Sequence, residues 1–128
     1  MRRARLIGPQ LPPPPSFASN SLSAFIYEVN AQRRSNRVRE LRPADRLMHA
    51  AKELAAQMAL DRRIRVGEEM NVWIGTSLNA PRIVDQWAAE MEGWRRNYFV
   101  ASDLRNVGVG QAVIDSKEPL HIVVVVYD

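Results

Sequence analysis

The sequence predicts an α+β domain built as a three-layer α-β-α sandwich, preceded by an extended proline-rich N-terminal arm. Apolar residues recur at three- and four-residue spacing in three separate stretches, which is typical of amphipathic helices. The apolar run that ends at Tyr127 contains no polar residue after His121, which indicates a strand covered on both faces. Because helices come first and a buried hairpin last, we expect helices on both faces of one sheet.

The chain divides into an arm, residues 1–20, and a single domain, residues 21–128. Pro9 and Pro12 to Pro15 fix φ and remove amide donors, so they favour an extended polyproline II conformation. The first acidic residue is Glu28, and the arm is therefore basic. A disordered linker is the alternative interpretation of such a segment.

The first helix is predicted from about Ser21 to Arg34. Ser19, Asn20 and Ser21 are N-cap candidates, because their side-chain oxygens can accept from exposed backbone amides. The inward stripe comprises Leu22, Phe25, Ile26, Val29 and, at the same spacing, Arg33. A basic connector follows and leads to Pro43.

The second helix is predicted to open at Pro43, with proline in the first turn and Asp45 near the positive end of the dipole. It is expected to end near Leu60. Its apolar stripe includes small alanines, which allow close packing against a neighbouring element. The stripe consists of Leu47, Ala50, Ala51, Leu54, Ala55 and Met58.

The remaining elements are one helix and a hairpin, after an ambiguous stretch at residues 69–74 that fits a strand or a helical turn. The third helix starts at Asn79-Ala80-Pro81. Its apolar face is predicted to carry Ile83, Val84, Trp87, Met91 and Trp94. The hairpin joins strands 107–114 and 120–127 through the turn at residues 115–119.

Composition narrows the class of protein. The chain has 128 residues, a net charge of +4 and no cysteine, which excludes disulfides, thiolate zinc ligands and a thiol nucleophile. No apolar run approaches the roughly 20 residues that span a bilayer.

Arginine supplies nearly all of the positive charge, and its planar guanidinium suits carboxylates and phosphates. GC-rich coding explains the same bias equally well.

The arginines predict a basic surface. It would bind an acidic protein surface or, alternatively, phosphate or anionic lipid, whereas a solvated face is the simplest interpretation. No nucleic-acid motif or aromatic platform accompanies these residues. The predicted basic surface consists of Arg33, Arg34, Arg37, Arg39, Arg42, Arg46, Arg62 and Arg63.

Five short motifs occur in the order typical of one family. The chain resembles the CAP superfamily (SCP domains of cysteine-rich secretory, antigen 5 and pathogenesis-related-1 proteins) over about residues 22–127, which implies the α-β-α sandwich. The similar segments are Val29-Asn30-Ala31-Gln32-Arg33, residues 47–58, Gly67-Glu68-Glu69, Val84-Asp85-Gln86-Trp87-Ala88-Ala89-Glu90 and Val107-Gly108-Val109-Gly110.

The resemblance implies a shallow cleft that usually holds two histidines and two glutamates and sometimes zinc. The glutamates correspond to Glu68 and Glu90, whereas neither histidine has a counterpart. Trp94, or Asn97 in the alternative alignment, stands where the second histidine would be. We therefore expect no metal and no cofactor, and we interpret the cleft as an apolar or protein-binding surface. The simplest role for Glu90 is an ion pair with Arg95 or Arg96.

The function predicted from these observations is a non-catalytic CAP-like binding or structural module. It would dock on a larger protein assembly or acidic surface through the arm and the Arg-rich connector. The alternatives are a hydrolase that uses Glu68 and Glu90, and a carrier of lipid or another small molecule. If Met1 is the native start, the missing apolar leader predicts an intracellular protein, cytoplasmic or organellar. Otherwise the family resemblance implies secretion.

Overall fold

Three helices and a four-stranded mixed sheet make up residues 21–128, the part of the chain described in the computed structural model. The arm predicted for residues 1–20 lies outside the described residues. The elements are α1 (Leu22–Ser35), β1 (Arg42–Pro43), α2 (Asp45–Asp61), β2 (Met70–Gly75), α3 (Ala80–Met91), β3 (Asn106–Ile114) and β4 (Leu120–Tyr127).

The predicted last strand lies inside the sheet, whose order is β1-β3-β4-β2. Strand β4 pairs antiparallel with β3 on one side and with β2 on the other, and the two-residue β1 adds to β3 in parallel. Ile122 to Val125 are 0% exposed. The unbroken apolar run therefore follows from burial on both faces, as the sequence predicted.

Helices cover both faces of the sheet, which confirms the three-layer sandwich. On one face, α1 and α3 contribute Phe25, Val29, Val84 and Trp87 to a core completed by Val107, Val109, Val123 and Val125. On the other face, α2 contributes Leu47, Ala51, Ala55 and Met58 to a core completed by Ile122, Val124 and Val126.

Two of the helices begin at the polar residues that the sequence indicated. Ser21 Oγ accepts from the Ala24 amide at 3.1 Å, and Asn79 Oδ1 accepts from the Arg82 amide at 3.2 Å. Each cap satisfies one of the amides that a helix start leaves unpaired, a contribution of about 1 kcal/mol.

The structure corrects the predicted start of α2 and the predicted extent of α3, and it settles the assignment of the ambiguous stretch at residues 69–74. Pro43 does not open α2 but lies in β1, because the Ala44 amide donates to the Val107 carbonyl and holds this stretch against β3. The ambiguous stretch is the strand β2. Helix α3 ends at Met91, so Trp94 lies beyond it and is 42% exposed.

Helix α2 rests directly on the two glycines of β3. A Cβ atom at Gly108 would lie 2.1 Å from the Leu47 carbonyl carbon, and one at Gly110 would lie 2.2 Å from the Lys52 amide nitrogen. Both neighbours are backbone atoms, so no side chain can rotate away. The packing of α2 therefore explains both glycines of the Val-Gly-Val-Gly motif, because only glycine lets the helix backbone come this close to the strand.

We predict that Gly108→Ala and Gly110→Ala each lower the free energy of unfolding by about 3 kcal/mol or more, since overpacking against backbone must displace α2. Urea unfolding followed by circular dichroism measures the effect.

The matched control is Gly93→Ala, because a Cβ at Gly93 meets no atom within 4 Å. A loss of stability at Gly108 no larger than that of Gly93→Ala would contradict the close seating of α2.

Candidate functional site

The turn between α2 and β2 is held in place by Glu69. Its φ of 54° lies in the left-handed region, which is uncommon for a residue with a side chain. The Glu69 amide donates to Tyr98 Oη at 3.1 Å, and its carbonyl accepts from the Tyr127 amide at 2.9 Å. The Glu69 carboxylate pairs with Arg96 at 2.9 Å. These contacts offset the backbone strain and fix the neighbouring Glu68 in space.

Beneath this turn lies a buried pair of tyrosines. The rings of Tyr98 and Tyr127 are 5.0 Å apart between centroids, and Tyr127 Oη donates to Asn71 Oδ1 at 2.6 Å. Burial raises the pKa of the Tyr127 phenol well above its ordinary value. Tyr127 therefore stays a neutral hydrogen-bond donor, and its buried ring supports the turn from below.

A surface groove of about 290 Å³ opens above the tyrosines. The structure brings the predicted residues Glu68 and Trp94 together in it, whereas Glu90 and Asn97 are not among the lining side chains. Trp94 packs edge-on against Tyr98, with ring centroids 6.4 Å apart. The groove is lined by Glu68, Glu69, Trp94, Arg95, Arg96 and Tyr98.

The other two predicted cleft residues have local contacts. The Glu90 carboxylate accepts from Gln86 Nε2 at 3.1 Å, one turn earlier on α3. Glu90 was expected to pair with Arg95 or Arg96, but within residues 21–128 it forms no ion pair with either, and Arg96 instead binds Glu69 and Asp103. Asn97 Oδ1 accepts from the Phe99 amide at 2.8 Å and so stabilises the turn after the groove.

Arg96 bridges the turn to the loop before β3. Its guanidinium donates to Asp103 at 2.8 Å and to Glu69, which places one cation between two carboxylates. The hydrogen bond from Arg96 lowers the pKa of the Asp103 carboxyl, and the hydrogen bond to Asp103 raises the pKa of Arg96. The bridge fixes one wall of the groove.

The residues of the groove do not fit the zinc site that the resemblance implied. Protein zinc sites combine histidine or cysteine with at most a few carboxylates, whereas this groove offers carboxylates beside two guanidinium groups and no histidine. His49 lies near Glu53 on α2, and His121 lies 3.4 Å from Gln111, so neither histidine lines the groove. Among residues 21–128, no three metal-binding side chains gather.

Arg33 was predicted to belong to the basic surface, and this was wrong. The structure buries it completely, at 0% exposure, on the inward stripe of α1. Its guanidinium donates to the carbonyls of Arg39 at 2.7 Å, Tyr98 at 2.6 Å and Ala101 at 3.0 Å. Burial lowers the pKa of Arg33, yet a guanidinium remains charged in proteins. Arg33 thus ties the connector to the loop that carries Tyr98.

The connector, residues 36–44, holds three exposed arginines on a pinned backbone. Asn30 exchanges two hydrogen bonds with the backbone of buried Leu41, at 2.7 and 3.0 Å. The Arg42 amide donates to the Arg105 carbonyl at 2.9 Å. We call Arg37, Arg39 and Arg42, which project from this backbone, the connector arginines.

The other predicted basic residues are more constrained or lie elsewhere. Arg34 pairs with Glu40 at 3.3 Å, and Arg46 forms a two-point ion pair with Asp128. Arg62 and Arg63 follow the far end of α2, where Arg62 has a φ of 52° and donates to the Asp115 carbonyl. The predicted basic surface is thus divided between the two ends of α2.

Sequence reasoning missed Glu69, Tyr98, Arg96 and Tyr127 as parts of the site. One signal was available: Tyr127 alternates with Val123 and Val125 and so shares their buried face. The partners of Glu69 lie far away in the sequence, in the loop before β3 and at the end of β4, and no local pattern indicates them.

Comparison with solved structures identifies the fold. The chain is similar to MpPR-1i, a pathogenesis-related-1 protein (TM-score 0.65, 18% identity, covering 83% of this chain and 84% of that one). It is also similar to an outer surface protein from Borrelia burgdorferi (0.59, 15%, 83% and 90%). A third match is hookworm platelet inhibitor (0.58, 18%, 89% and 73%). The comparisons thus show a shared fold, the α-β-α sandwich that the motifs implied.

No protein-family model matches the sequence, and neither does any curated protein. Within residues 21–128, no helix combines the length and the apolar character needed to cross a membrane. The comparisons give no support to the intracellular prediction.

We predict that Arg33→Met lowers the free energy of unfolding by about 3–5 kcal/mol, because three buried carbonyls lose a charged donor at once. Arg33→Lys should recover little of this, since an ammonium cannot reproduce the planar fork. Chemical denaturation measures both variants.

Arg34→Met serves as the control, because Arg34 is the next residue along α1 and lies in an exposed pair. Equal losses for Arg33→Met and Arg34→Met would show that Arg33 is not a structural anchor.

A second prediction concerns pH. The pKa of Asp103 is lowered in the folded chain, so the Arg96 pair stabilises the fold above the ordinary aspartate pKa of about 3.9. This stabilisation is lost as the pH falls through the lower, folded-state pKa. Arg96→Gln should therefore raise the Asp103 pKa towards its ordinary value, as measured by carbon-13 NMR titration of the carboxyl.

Asp128 provides the internal control, because Arg46, not Arg96, lowers its pKa. A pKa of Asp103 that stays unchanged in Arg96→Gln would refute the bridge.

Proposed function

We propose that this CAP-fold domain is a non-catalytic binding module that docks through its connector on an acidic protein surface of a larger assembly. The observation that carries the proposal is the set of connector arginines, held on a backbone that is already fixed. Guanidinium groups recognise carboxylates with two parallel hydrogen bonds. An acidic partner would therefore meet cations in a defined arrangement.

The main physical support for this proposal is that the connector backbone is already ordered before a partner binds. The connector lacks the regular structure of a helix, yet the buried groups Asn30, Arg33 and Leu41 hold it from below. Because the backbone is ordered before binding, a partner has less conformational entropy to remove. The three side chains keep their own freedom and can adapt to the spacing of the partner's carboxylates.

The left-handed conformation of Arg37 has a local structural cause. Its φ is 60°, its amide donates to the Arg34 carbonyl at 3.0 Å, and the Val38 amide donates to the Arg33 carbonyl at 3.0 Å. A left-handed residue with these two hydrogen bonds is a common way to end a helix. The turn therefore fixes the backbone where the connector begins, which supports preorganisation.

Charge balance distinguishes the connector from the groove. The groove combines Glu68 and Glu69 with Arg95 and Arg96, so its charges offset one another. Glu40, within the connector, pairs with Arg34, and the connector arginines form no ion pair with any other residue of 21–128. No observation favours the hydrolase alternative, and the pairing of Glu68 with Glu90 stays a prediction.

We predict that the triple variant Arg37→Gln, Arg39→Gln, Arg42→Gln binds a fluorescently labelled oligoglutamate peptide about tenfold more weakly than the unchanged chain. Three exposed ion pairs at about 0.5 kcal/mol each account for this factor. Fluorescence anisotropy at low ionic strength measures the dissociation constants, and added salt should weaken binding.

The charge-matched control is Arg63→Gln, Arg82→Gln, Arg95→Gln, which also removes three positive charges but leaves the connector intact. This control should bind within about twofold of the unchanged chain, within the small worth of a distant exposed charge. Equal weakening in the two triple variants would mean that net charge alone drives binding, and would refute docking at the connector.

A further inference from the structure

A second groove of about 280 Å³ lies between α1 and the connector. Its walls are formed mainly by Ile26 and Tyr27 on one side and by Glu40 and Pro43 on the other. Ser23, in the first turn of α1, lies at one end. The groove therefore begins almost where the described part of the chain begins, at residue 21.

The chemistry of this groove suits a proline-rich ligand. The Arg34 guanidinium lies over the Tyr27 ring, 5.6 Å from its centroid, and also pairs with Glu40. This contact orients the phenol ring as one wall of a mostly apolar slot. Proline-rich segments in the polyproline II conformation bind aromatic-lined grooves of this kind, because proline rings pack on the aromatic faces and lose little conformational entropy.

We propose that the proline-rich segment of the same chain, residues 9–15, folds back and occupies this groove. Five residues separate Pro15 from Ser21, and they span at most about 18 Å when extended. The nine residues of α1 from Leu22 to Asn30 rise only about 14 Å. The connection is therefore long enough to bring Pro12 to Pro15 alongside Tyr27.

Charge does not select the occupant, because the arm carries Arg2, Arg3 and Arg5 and no acidic residue, while Glu40 on the groove wall already pairs with Arg34. The proline-rich segment itself, residues 9–15, is uncharged, so it can lie beside the connector arginines without electrostatic repulsion. The arm then becomes part of the folded surface next to the connector arginines. This inference stands independently of the proposed function, since it concerns contacts within one chain.

The experiment uses the full-length chain with a nitroxide label. Because the chain has no cysteine, Gln10→Cys provides a single labelling position. We expect paramagnetic loss of NMR signal at the Ile26 methyl groups and at the amides of Arg34 and Glu40. Tyr27→Ala should remove this localised loss, and so should replacement of Pro12 to Pro15 by serine in the full chain.

Trp94→Ala is the matched control, because it removes an exposed aromatic ring from the other groove and should leave the pattern unchanged. Signal loss that spreads evenly around Ser21 and does not respond to Tyr27→Ala would overturn the proposal. A mixture of labelled chain with isotope-enriched, unlabelled chain tests the occupant. Signal loss in that mixture equal to the loss within one chain would assign the groove to the arm of a second copy and also overturn it.

Discussion

The fold depends on one close contact, the seating of the α2 backbone on Gly108 and Gly110 of β3. Since backbone meets backbone there, the position of α2 on the sheet cannot adjust through side-chain rotation. The contact fixes the first two turns of the helix, and Ala55 and Met58 pack its second half on the same face of the sheet. The connector enters at its first residue, and the turn that carries Glu68 and Glu69 follows its last. Seventeen helical residues separate these two surfaces by about 25 Å.

Arg33 couples the same two surfaces on the opposite side of the sheet. Its guanidinium binds the Arg39 carbonyl in the connector and the Tyr98 carbonyl in the loop below the groove. A buried cation with three carbonyl acceptors joins the backbones of two loops, which also anchor in the core through Leu41 and Phe99. The connector arginines therefore project from an ordered backbone, and this order lowers the entropy cost of binding a partner.

Periodicity and capping predicted most of the fold. The caps at Ser21 and Asn79, the strand from Leu120 to Tyr127 and the three layers follow from local pattern and from the burial that this pattern implies. Strand β1 could not be predicted, because Pro43 is held by long-range pairing with Val107. For Arg33, helical periodicity and side-chain charge gave opposite predictions: its spacing placed it on the inward stripe of α1, whereas its charge indicated the surface. It is buried because three backbone carbonyls accept hydrogen bonds from its guanidinium.

The candidate site was predicted less completely, because its contacts join distant parts of the chain. The family motif indicated Glu68, while the residue with the anchoring contacts is its neighbour Glu69. The groove that results has offsetting charges, whereas the connector has a clear excess of positive charge. This contrast is the basis for assigning the docking role to the connector.

The most direct measurement is an NMR titration of the isotope-labelled chain with unlabelled oligoglutamate peptide. If the connector is the docking surface, the shifts concentrate at the amides and guanidinium groups of Arg37, Arg39 and Arg42. Shifts concentrated instead at Glu68, Trp94 and Arg95 would place the binding surface in the groove and contradict docking at the connector.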